Sequence, residues 1–275
     1  MTPEPVRAVT RAAAILDMFT LETPVLSLTE ISRGIGLNKS TTHRLLATLE
    51  HLDLLEVDSA TRRYRLGLKL FRLGSVVLKS MELVAQAEPL LKRLVEQTEE
   101  TAFLIVPEKN ETLCLKRVDG CHSVRALFLE TGKRLPYNAG AGPRALLAHL
   151  PEEDWDRVVV HHVQRMTHHS LVTREELARD KAEVHRLGYS LSREDVSLHA
   201  CAVGAPVRER EGRVVAAVSV SGIVQRFSPA QIPLLVAAVV QAAEELSRRL
   251  GFVPLGGNRL GGSPPDPDER AAGVG

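Results

Sequence analysis

Hydrophobic positions near the start of the chain recur every three or four residues, as on the buried face of an amphipathic helix. They are Ala12, Ile15, Leu16 and Phe19. This spacing predicts a first helix over about residues 7–19. Ser27 followed three residues later by Glu30 forms a capping-box pattern, which predicts a short second helix over about residues 28–34.

A third helix is predicted within the segment GLNKSTTHRLLATLE, residues 36–50. Gly34 and Gly36 allow the tight turn that precedes it, and Asn38 is a suitable N-cap. Leucines at helical spacing predict its buried stripe, which comprises Leu45, Leu46, Leu49 and Leu52. Two helices joined by a short glycine turn predict a helix-turn-helix.

Two extended runs, LLEVD and RYRLG, follow the third helix and flank the polar turn SATR. They predict a β-hairpin, and a hairpin placed directly after such a helix is the wing of a winged helix. The pattern then becomes helical again from about Leu66 to Val84. This stretch predicts a linker helix.

The second half of the chain alternates short strands with grouped helices. A helix over about 84–98 precedes the runs AFLIV, ETLCLKRV and SVRALFLE. Two or three helices follow, then the runs GYSLS, CAVGAPV and VVAAVSVSG, and a last helix from about Pro229 to Leu250. Hairpin-linked strands with helices between them predict the α+β class with an antiparallel sheet.

Length and composition support two domains, because 275 residues with 44% hydrophobic content can form two cores. The predicted boundaries are a winged helix-turn-helix domain at 1–70, a linker helix at 71–83, an α+β domain at 84–253 and a tail at 254–275. The tail is rich in glycine and proline, so we expect it to be disordered.

The three cysteines, Cys114, Cys121 and Cys201, are widely spaced and form no C-x-x-C motif. Neither a disulfide framework nor a zinc ribbon is predicted, and a reducing compartment fits best. The N-terminus carries acids, unlike a signal peptide, and the most apolar run, residues 232–243, is shorter than the ~18 residues of a membrane span. We therefore expect a cytoplasmic protein without a membrane partner.

The net charge of +1, from 35 Lys and Arg against 34 Asp and Glu, excludes a globally basic protein. Any anionic partner must therefore meet a local basic patch. No acid occurs from Ile31 to Leu49 or from Ser59 to Met81, the two stretches that carry the third helix and the wing. Polar residues at a helix start often only cap it, but the missing acids favour contact with phosphates.

We therefore expect the helix start and the wing to bind double-stranded DNA, the helix in the major groove. The predicted contacts are Lys39, Ser40, Thr41, Thr42 and Arg44 on the helix, and Arg62, Arg63 and Arg65 on the wing. An aromatic content of only 4% argues against a stacking platform for single strands.

Four segments resemble successive parts of the IclR family of bacterial transcription regulators. They are LSLTEISRGIGLNKSTTHRLLATLEHLDLLEVDSATRRYRLGLKLFRLG, RLPYNAGAGPRALLAHLP, LGYSLSRED and VGAPVREREGRVVAAVSVSG. The resemblance extends over roughly residues 7–252. It implies a winged helix joined by a linker helix to a GAF-like effector-binding domain, in a homodimer or homotetramer. Such a regulator, more often a repressor than an activator, binds an operator with an affinity that a small-molecule effector modulates.

The resemblance also implies an effector pocket between the sheet and the loop that opens the helix after RLP. The matching positions are Val124, Leu127, Ala141, Gly142, Ser192, Glu194, Asp195, Ala202, Ser219 and Ser221. Ser219 and Ser221 alternate along one strand, so both hydroxyls can face the same cavity or, in the alternative interpretation, the solvated face of the sheet. Amides at a helix start favour an anion, which suggests a small organic or aromatic acid.

Three positions depart from the family pattern. Pro143-Arg144 stands where similar sequences carry Gly-Lys, Ser192-Arg193 replaces an acidic pair, and His199 replaces a glycine. The identity of the effector is therefore left open.

The sequence permits three alternative interpretations. Residues 140–145, GAGPRA, match the dinucleotide fingerprint G-x-G-x-x-A, but no apolar parallel strand precedes them. His161-His162 and His168-His169 could suggest a metal site, but neighbouring helical residues point about 100° apart. Without a nucleophile motif, we expect no enzyme activity, no cofactor and no metal. In the third rival, the second domain serves only oligomerisation.

Overall fold

The computed structural model describes residues 6–80, 82–122 and 129–253. The chain divides into two compact units, with the boundary between Met81 and Glu82. The predicted linker, residues 71–83, spans this boundary. The predicted tail, residues 254–275, lies outside the described residues.

The first unit contains the predicted helices and hairpin together with one further strand. Its elements are α1 (Arg7–Leu16), β1 (Leu26–Ser27), α2 (Leu28–Gly34), α3 (Lys39–His51), β2 (Leu55–Val57), β3 (Arg63–Leu66) and α4 (Leu68–Ser80). The helix-turn-helix and the wing hairpin are confirmed. Sequence reasoning missed β1, which pairs antiparallel with β3 in a sheet of order β1-β3-β2.

Local capping explains where α2 and α3 begin. The Ser27 hydroxyl accepts from the Glu30 amide, and the Glu30 carboxylate accepts from the Ser27 amide, so the predicted capping box is formed. The Asn38 side chain accepts from the Thr41 amide at 2.8 Å and caps α3 as predicted.

The core of the first unit is built from its first three helices and its small sheet. Its fully buried side chains include Ile15 of α1, Ile31 of α2, Leu46 of α3 and Leu55 of β2. The predicted stripe on α3 is wrong at Leu52, which is 44% exposed. Because α3 ends at His51 and Leu52 is its C-cap, the helical period no longer directs that side chain inward.

The second unit is α+β, as predicted. Its elements are α5 (Glu82–Thr98), β4 (Thr101–Glu108), β5 (Glu111–Val118), β6 (Arg134–Pro136), α6 (Ala141–Leu147), α7 (Glu152–His161), α8 (Arg174–Leu187), β7 (Ser190–Arg193), β8 (Ala200–Arg208), β9 (Val214–Ile223) and α9 (Ile232–Arg249). The strands form one sheet of order β6-β5-β4-β9-β8-β7, and every pairing in it is antiparallel. Helices α5 and α9 pack against each other and the sheet, while α6 lies over β8 and β9.

One strand of this sheet was not predicted from the sequence, and one predicted strand lies mostly outside the described residues. Arg134–Pro136, which the sequence analysis did not assign to any element, forms β6 and pairs with β5. Pro136 is tolerated because β6 is an edge strand with one unpaired side. The predicted strand SVRALFLE falls mostly on residues 123–128, outside the described residues.

No helix in the described part of the chain has the length and apolar character that a membrane span requires.

Candidate functional site

The start of α3 presents an exposed polar surface. Lys39, Ser40 and Arg44 are exposed, and Thr41 is half-buried. Neither Lys39 nor Arg44 forms an ion pair with any described residue. Both cations are therefore available to an anionic partner.

Thr42 corrects the predicted contact surface. Its side chain is completely buried, and its hydroxyl donates to the Asn38 carbonyl at 3.0 Å. It lies one turn before the buried Leu46 and so shares the inner face of α3. Sequence reasoning overlooked His43, which is exposed on α3 between Lys39 and Arg44. Its position three residues after Ser40 places the two side chains on the same face of the helix, and this spacing could have identified it.

The three wing arginines differ in their partners. Arg63 places Nη2 3.2 Å from Glu30 Oε2, and Arg65 donates from Nε to Glu56 Oε2 at 2.9 Å. Arg62, at φ +56°, is exposed and forms no ion pair within the described residues. Exposed pairs of this kind contribute little to stability, so Arg63 and Arg65 can exchange their partners for phosphates at small cost.

In the second unit, sheet register brings several of the predicted effector positions together. Ser192 of β7 pairs with Ala202 of β8, which pairs with Ser221 of β9. Ser219 lies two residues from Ser221 and faces the same side. Both serines are 3% exposed, so the alternative of a solvated sheet face is wrong. Val124 and Leu127 lie outside the described residues.

Two hydroxyls on this face are buried without a hydrogen-bond partner among the described residues. Ser219 Oγ donates to the Val203 carbonyl at 2.8 Å, whereas Ser221 Oγ and Ser190 Oγ have no partner. A buried polar group without a partner costs about 1–3 kcal/mol. Sequence reasoning missed Ser190. It pairs with Gly204 of β8, which in turn pairs with Ser219 of β9.

Helix α6 lies directly on this face. A Cβ atom on Gly204 would stand 2.6 Å from the Gly142 nitrogen and 2.7 Å from the Ala141 carbonyl carbon. Ala141 and Gly142 are both buried, and a Cβ on Gly142 would be 3.4 Å from Ser219 Cβ. The loop residues and the serine strand thus meet, as the resemblance implies.

Arg144 of α6 is the centre of a buried charge cluster. Its Nε donates to Asp180 Oδ2 at 2.9 Å and its Nη1 to Asp195 Oδ2 at 3.0 Å, while Nη2 also contacts Asp180 Oδ1. Burial alone would lower the pKa of Arg144, but the hydrogen bonds and charges of Asp180 and Asp195 outweigh burial and raise this pKa. The cluster contains one cation and two carboxylates, and it connects α6, α8 and the loop after β7.

The cluster engages two of the predicted effector residues. Asp195 is 2% exposed, and its second oxygen, Oδ1, accepts from the Ser192 hydroxyl. Its backbone carbonyl accepts from Ser170 Oγ at 2.7 Å. Neither carboxylate oxygen of Asp195 is therefore without a hydrogen bond in this structure.

Glu194 is placed in the loop over residues 194–199 and not in the strand rows. Its Oε1 accepts from the His199 amide at 2.8 Å, and its carboxylate lies within 3.8 Å of the His169 ring. Glu194 and His199 both have positive φ, +58° and +65°. Left-handed backbone at such residues costs about 1–2 kcal/mol each, so this loop is strained at both ends.

The described residues do not form either rival site. No group of three or more His, Cys, Asp or Glu in the described ranges is arranged to hold a metal ion. The strand before GAGPRA is β6, which is antiparallel to β5, so no parallel β-α-β unit surrounds the motif.

Two family descriptions match the chain. Residues 8–59 match the IclR helix-turn-helix domain, and residues 75–248 match the bacterial transcriptional regulator IclR C-terminal domain. Both descriptions are of transcriptional regulators and not of enzymes.

Individual proteins are similar along most of the chain. The HTH-type transcriptional regulator BhcR of Paracoccus denitrificans (strain Pd 1222) is 35% identical over 250 residues, which cover 90% of this chain and 88% of that protein. The transcriptional repressor IclR of Escherichia coli (strain K12) is 28% identical over 249 residues, 90% of each chain. The structure of an IclR homolog complexed with 4-hydroxybenzoate, from Microbacterium hydrocarbonoxydans, has a TM-score of 0.77 and 28% identity, covering 88% of this chain and 98% of that one.

Proposed function

Because the chain belongs to the IclR family of bacterial transcriptional regulators, we propose that it represses transcription from an operator and that a small organic or aromatic acid modulates its operator affinity. It is a DNA-binding regulator and not an enzyme. The proposed place of action is the cytoplasm. Repression is proposed because relatives such as the Escherichia coli protein are repressors by name.

The proposed DNA contacts rest on the exposed cations of the first unit. Lys39 and Arg44 project from the start of α3 without acidic partners, and Arg62 does so from the wing. In a winged helix, the helix start enters the major groove and the wing contacts the backbone. Thr42 is excluded from this surface because it is buried.

The proposed effector site is the serine-bearing face of the sheet beneath α6. Ser221 offers a buried hydroxyl without a partner, close in register to Ala202 and Ser192. The related protein complexed with 4-hydroxybenzoate supports an aromatic acid as a candidate. The effector would shift the equilibrium between two arrangements only if it binds them with unequal affinity.

The proposed assembly is a homodimer or homotetramer that engages two half-sites. Large apolar side chains are exposed on α4, with Leu68 75% and Val76 66% exposed. An apolar surface of this kind is typical of a protein interface.

The DNA proposal is tested by footprinting and gel-shift titration on the promoter upstream of the protein's own gene, at several salt concentrations. We expect Lys39→Ala and Arg44→Ala each to weaken binding by about 1–3 kcal/mol if they contact bases, and by less, with a lower salt slope, if they contact phosphate. Arg186→Ala, at an exposed position of α8, is the matched control. Unchanged affinity in Lys39→Ala, Arg44→Ala and Arg62→Ala would show that the contact surface is elsewhere.

The effector proposal is tested by repeating the gel shift with acetate, benzoate and 4-hydroxybenzoate. A change in operator affinity with one of these acids supports the proposal. If a broad panel of acids leaves the affinity unchanged, the second unit serves oligomerisation alone.

A further inference from the structure

The buried cluster at Arg144 holds one carboxylate more than charge neutrality requires. Asp180 engages two nitrogens of the guanidinium, Nε and Nη2, whereas Asp195 engages only Nη1 at 3.0 Å. A bidentate carboxylate is the stronger partner of a guanidinium. Of the two carboxylates, Asp195 is therefore the one that the guanidinium of Arg144 holds more weakly.

The position of Asp195 connects the cluster to the proposed effector face. Asp195 Oδ1 accepts from Ser192, which pairs with Ala202 in the row that ends at Ser221. The next residue, Val196, packs against the start of α6, since a Cβ on Gly140 would stand 3.3 Å from Val196 Cγ2. The Asp195 loop thus closes the edge of that face.

Electrostatics oppose the entry of an acid while Asp195 stays in place. The cluster carries a net charge of −1, and like charges repel strongly at low dielectric. If Asp195 leaves for solvent as a ligand carboxylate arrives, the net charge of the cluster does not change. The two positive-φ residues, Glu194 and His199, mark the ends of the segment that would move, and their strain is relieved when the loop opens.

We propose that Asp195 is an internal substitute for the carboxylate of the effector. An acidic effector takes its place on Arg144 Nη1, and the displaced Asp195 releases the loop over residues 194–199. Arg144 is thereby the specificity-determining residue for a carboxylate, and the loop reports that the site is filled. This inference rests on the proposed effector function of the same face.

The test compares two variants that remove one charge from the same guanidinium. In Asp195→Asn the amide keeps the size of the side chain and can still contact Arg144 and Ser192, so the fold is retained. Asp180→Asn is the matched control, because it removes an equal charge from α8 and leaves the loop in place. Calorimetric titration of the full-length protein uses benzoate and 4-hydroxybenzoate, with 4-hydroxybenzyl alcohol as the uncharged probe.

We expect Asp195→Asn to bind the acids about tenfold to a hundredfold more tightly than the wild type, the range of one charge-assisted hydrogen bond. Binding of 4-hydroxybenzyl alcohol should not change. Asp180→Asn should bind the acids no more tightly than the wild type, because Asp195 then becomes the sole carboxylate partner of Arg144 among the described residues. An equal gain of affinity for the acids in both variants would indicate a general electrostatic effect of the lost charge. It would contradict the proposal that the ligand carboxylate replaces Asp195.

A second measurement follows the loop itself. Hydrogen exchange of the amides in residues 194–199 should become faster when the wild type is saturated with benzoate. Without ligand, exchange should be faster in Asp195→Asn than in the wild type, because a neutral amide binds the guanidinium more weakly than a carboxylate does. Slower exchange on binding would contradict the proposal, because the ligand would then be closing the loop.

The outcomes separate this inference from the proposed function. If an acid binds the wild type and shifts operator affinity but Asp195→Asn gains nothing, the exchange is wrong and the effector function stands. If Asp195→Asn binds neither acid, the guanidinium is not a carboxylate site and the inference fails, whatever the gel shift shows.

Discussion

The two units of this protein place the charges of their proposed sites in opposite environments. In the first unit, Lys39 and Arg44 stand exposed on α3 without acidic partners. In the second, Arg144 is 7% exposed and held by Asp180 and Asp195. An exposed cation can meet a polyanion at almost no structural cost, whereas a buried cation is part of the fold and can meet a ligand only by giving up a partner.

Removal of the buried cation should have the largest effect on stability. Arg144→Met leaves Asp180 and Asp195 buried without a counter-charge, which should lower the free energy of unfolding by about 3–5 kcal/mol. Arg65→Met, which breaks the exposed pair with Glu56 on the wing, should cost less than about 1 kcal/mol. Urea denaturation followed by circular dichroism measures both. Equal losses would contradict the difference between the units.

Close backbone packing supplies a second contrast. In Gly204→Ala the new methyl group meets the backbone of Ala141 and Gly142, which should destabilise the second unit by about 1–3 kcal/mol. Gly74→Ala on α4 meets no atom within 4 Å and should stabilise its helix by about 0.5–1 kcal/mol. Thermal unfolding of the two variants shows whether each substitution lowers or raises stability. A neutral Gly204→Ala would show that α6 can lift from the sheet without cost.

The half-buried His149 of the second unit should make stability depend on pH. Burial lowers the pKa of His149 from 6.5 to about 4. The hydrogen bond with the Ala145 carbonyl raises this pKa, but the neighbouring Arg208, His185 and Lys181 lower it further. Because the folded-state pKa is the lower one, stability is intact above pH 6.5 and falls as the pH decreases toward about 4. With partial exposure taken into account, the loss should be about 1–2 kcal/mol.

His149→Gln should remove this part of the acid destabilisation in urea titrations at pH 7, 6, 5 and 4. His43→Gln, at an exposed position of α3, is the control and should leave the pH profile of the wild type in place. A wild-type profile retained in His149→Gln would assign the acid sensitivity to other groups.

The smallest expected change concerns stability at the DNA surface. Arg44→Ala should alter the free energy of unfolding by no more than about 0.5 kcal/mol, because the side chain is exposed and pairs with no described residue. Urea denaturation beside the gel-shift titration separates the two effects. A large loss of stability would mean that Arg44 belongs to the fold and not to the contact surface.

The contrast between the units also explains how far sequence reasoning succeeded. In the first unit the signals are local: the capping box of Ser27 and Glu30 and the N-cap Asn38 lie within three residues of the groups they bind. These signals predicted α2, α3 and the hairpin. The error at Thr42 came from treating a polar run as one surface, although helical periodicity turns every third or fourth residue inward.

In the second unit the decisive contacts join distant positions. Arg144 meets Asp180 36 residues away and Asp195 51 residues away, and no spacing rule connects them. The sequence showed only that Arg144 was unusual for the family it resembles. Alternation along β9 did predict that Ser219 and Ser221 share a face, but the role of Ser190 depends on strand register, which a single sequence does not specify.

The carboxylate of Glu30 contacts both the start of its own helix, α2, and an arginine of the wing. Its Oε2 accepts from the Ser27 amide at 2.7 Å and lies 3.2 Å from Arg63 Nη2, while β1 is hydrogen-bonded to β3 beside it. Glu30 and the β1–β3 pairing thereby tie the start of α2 to the wing strand β3. If the start of α3 and the wing contact one duplex as proposed, the spacing between them should favour duplexes by groove width and curvature as well as by base identity, because the nucleic acid must then supply any bending that the fit requires.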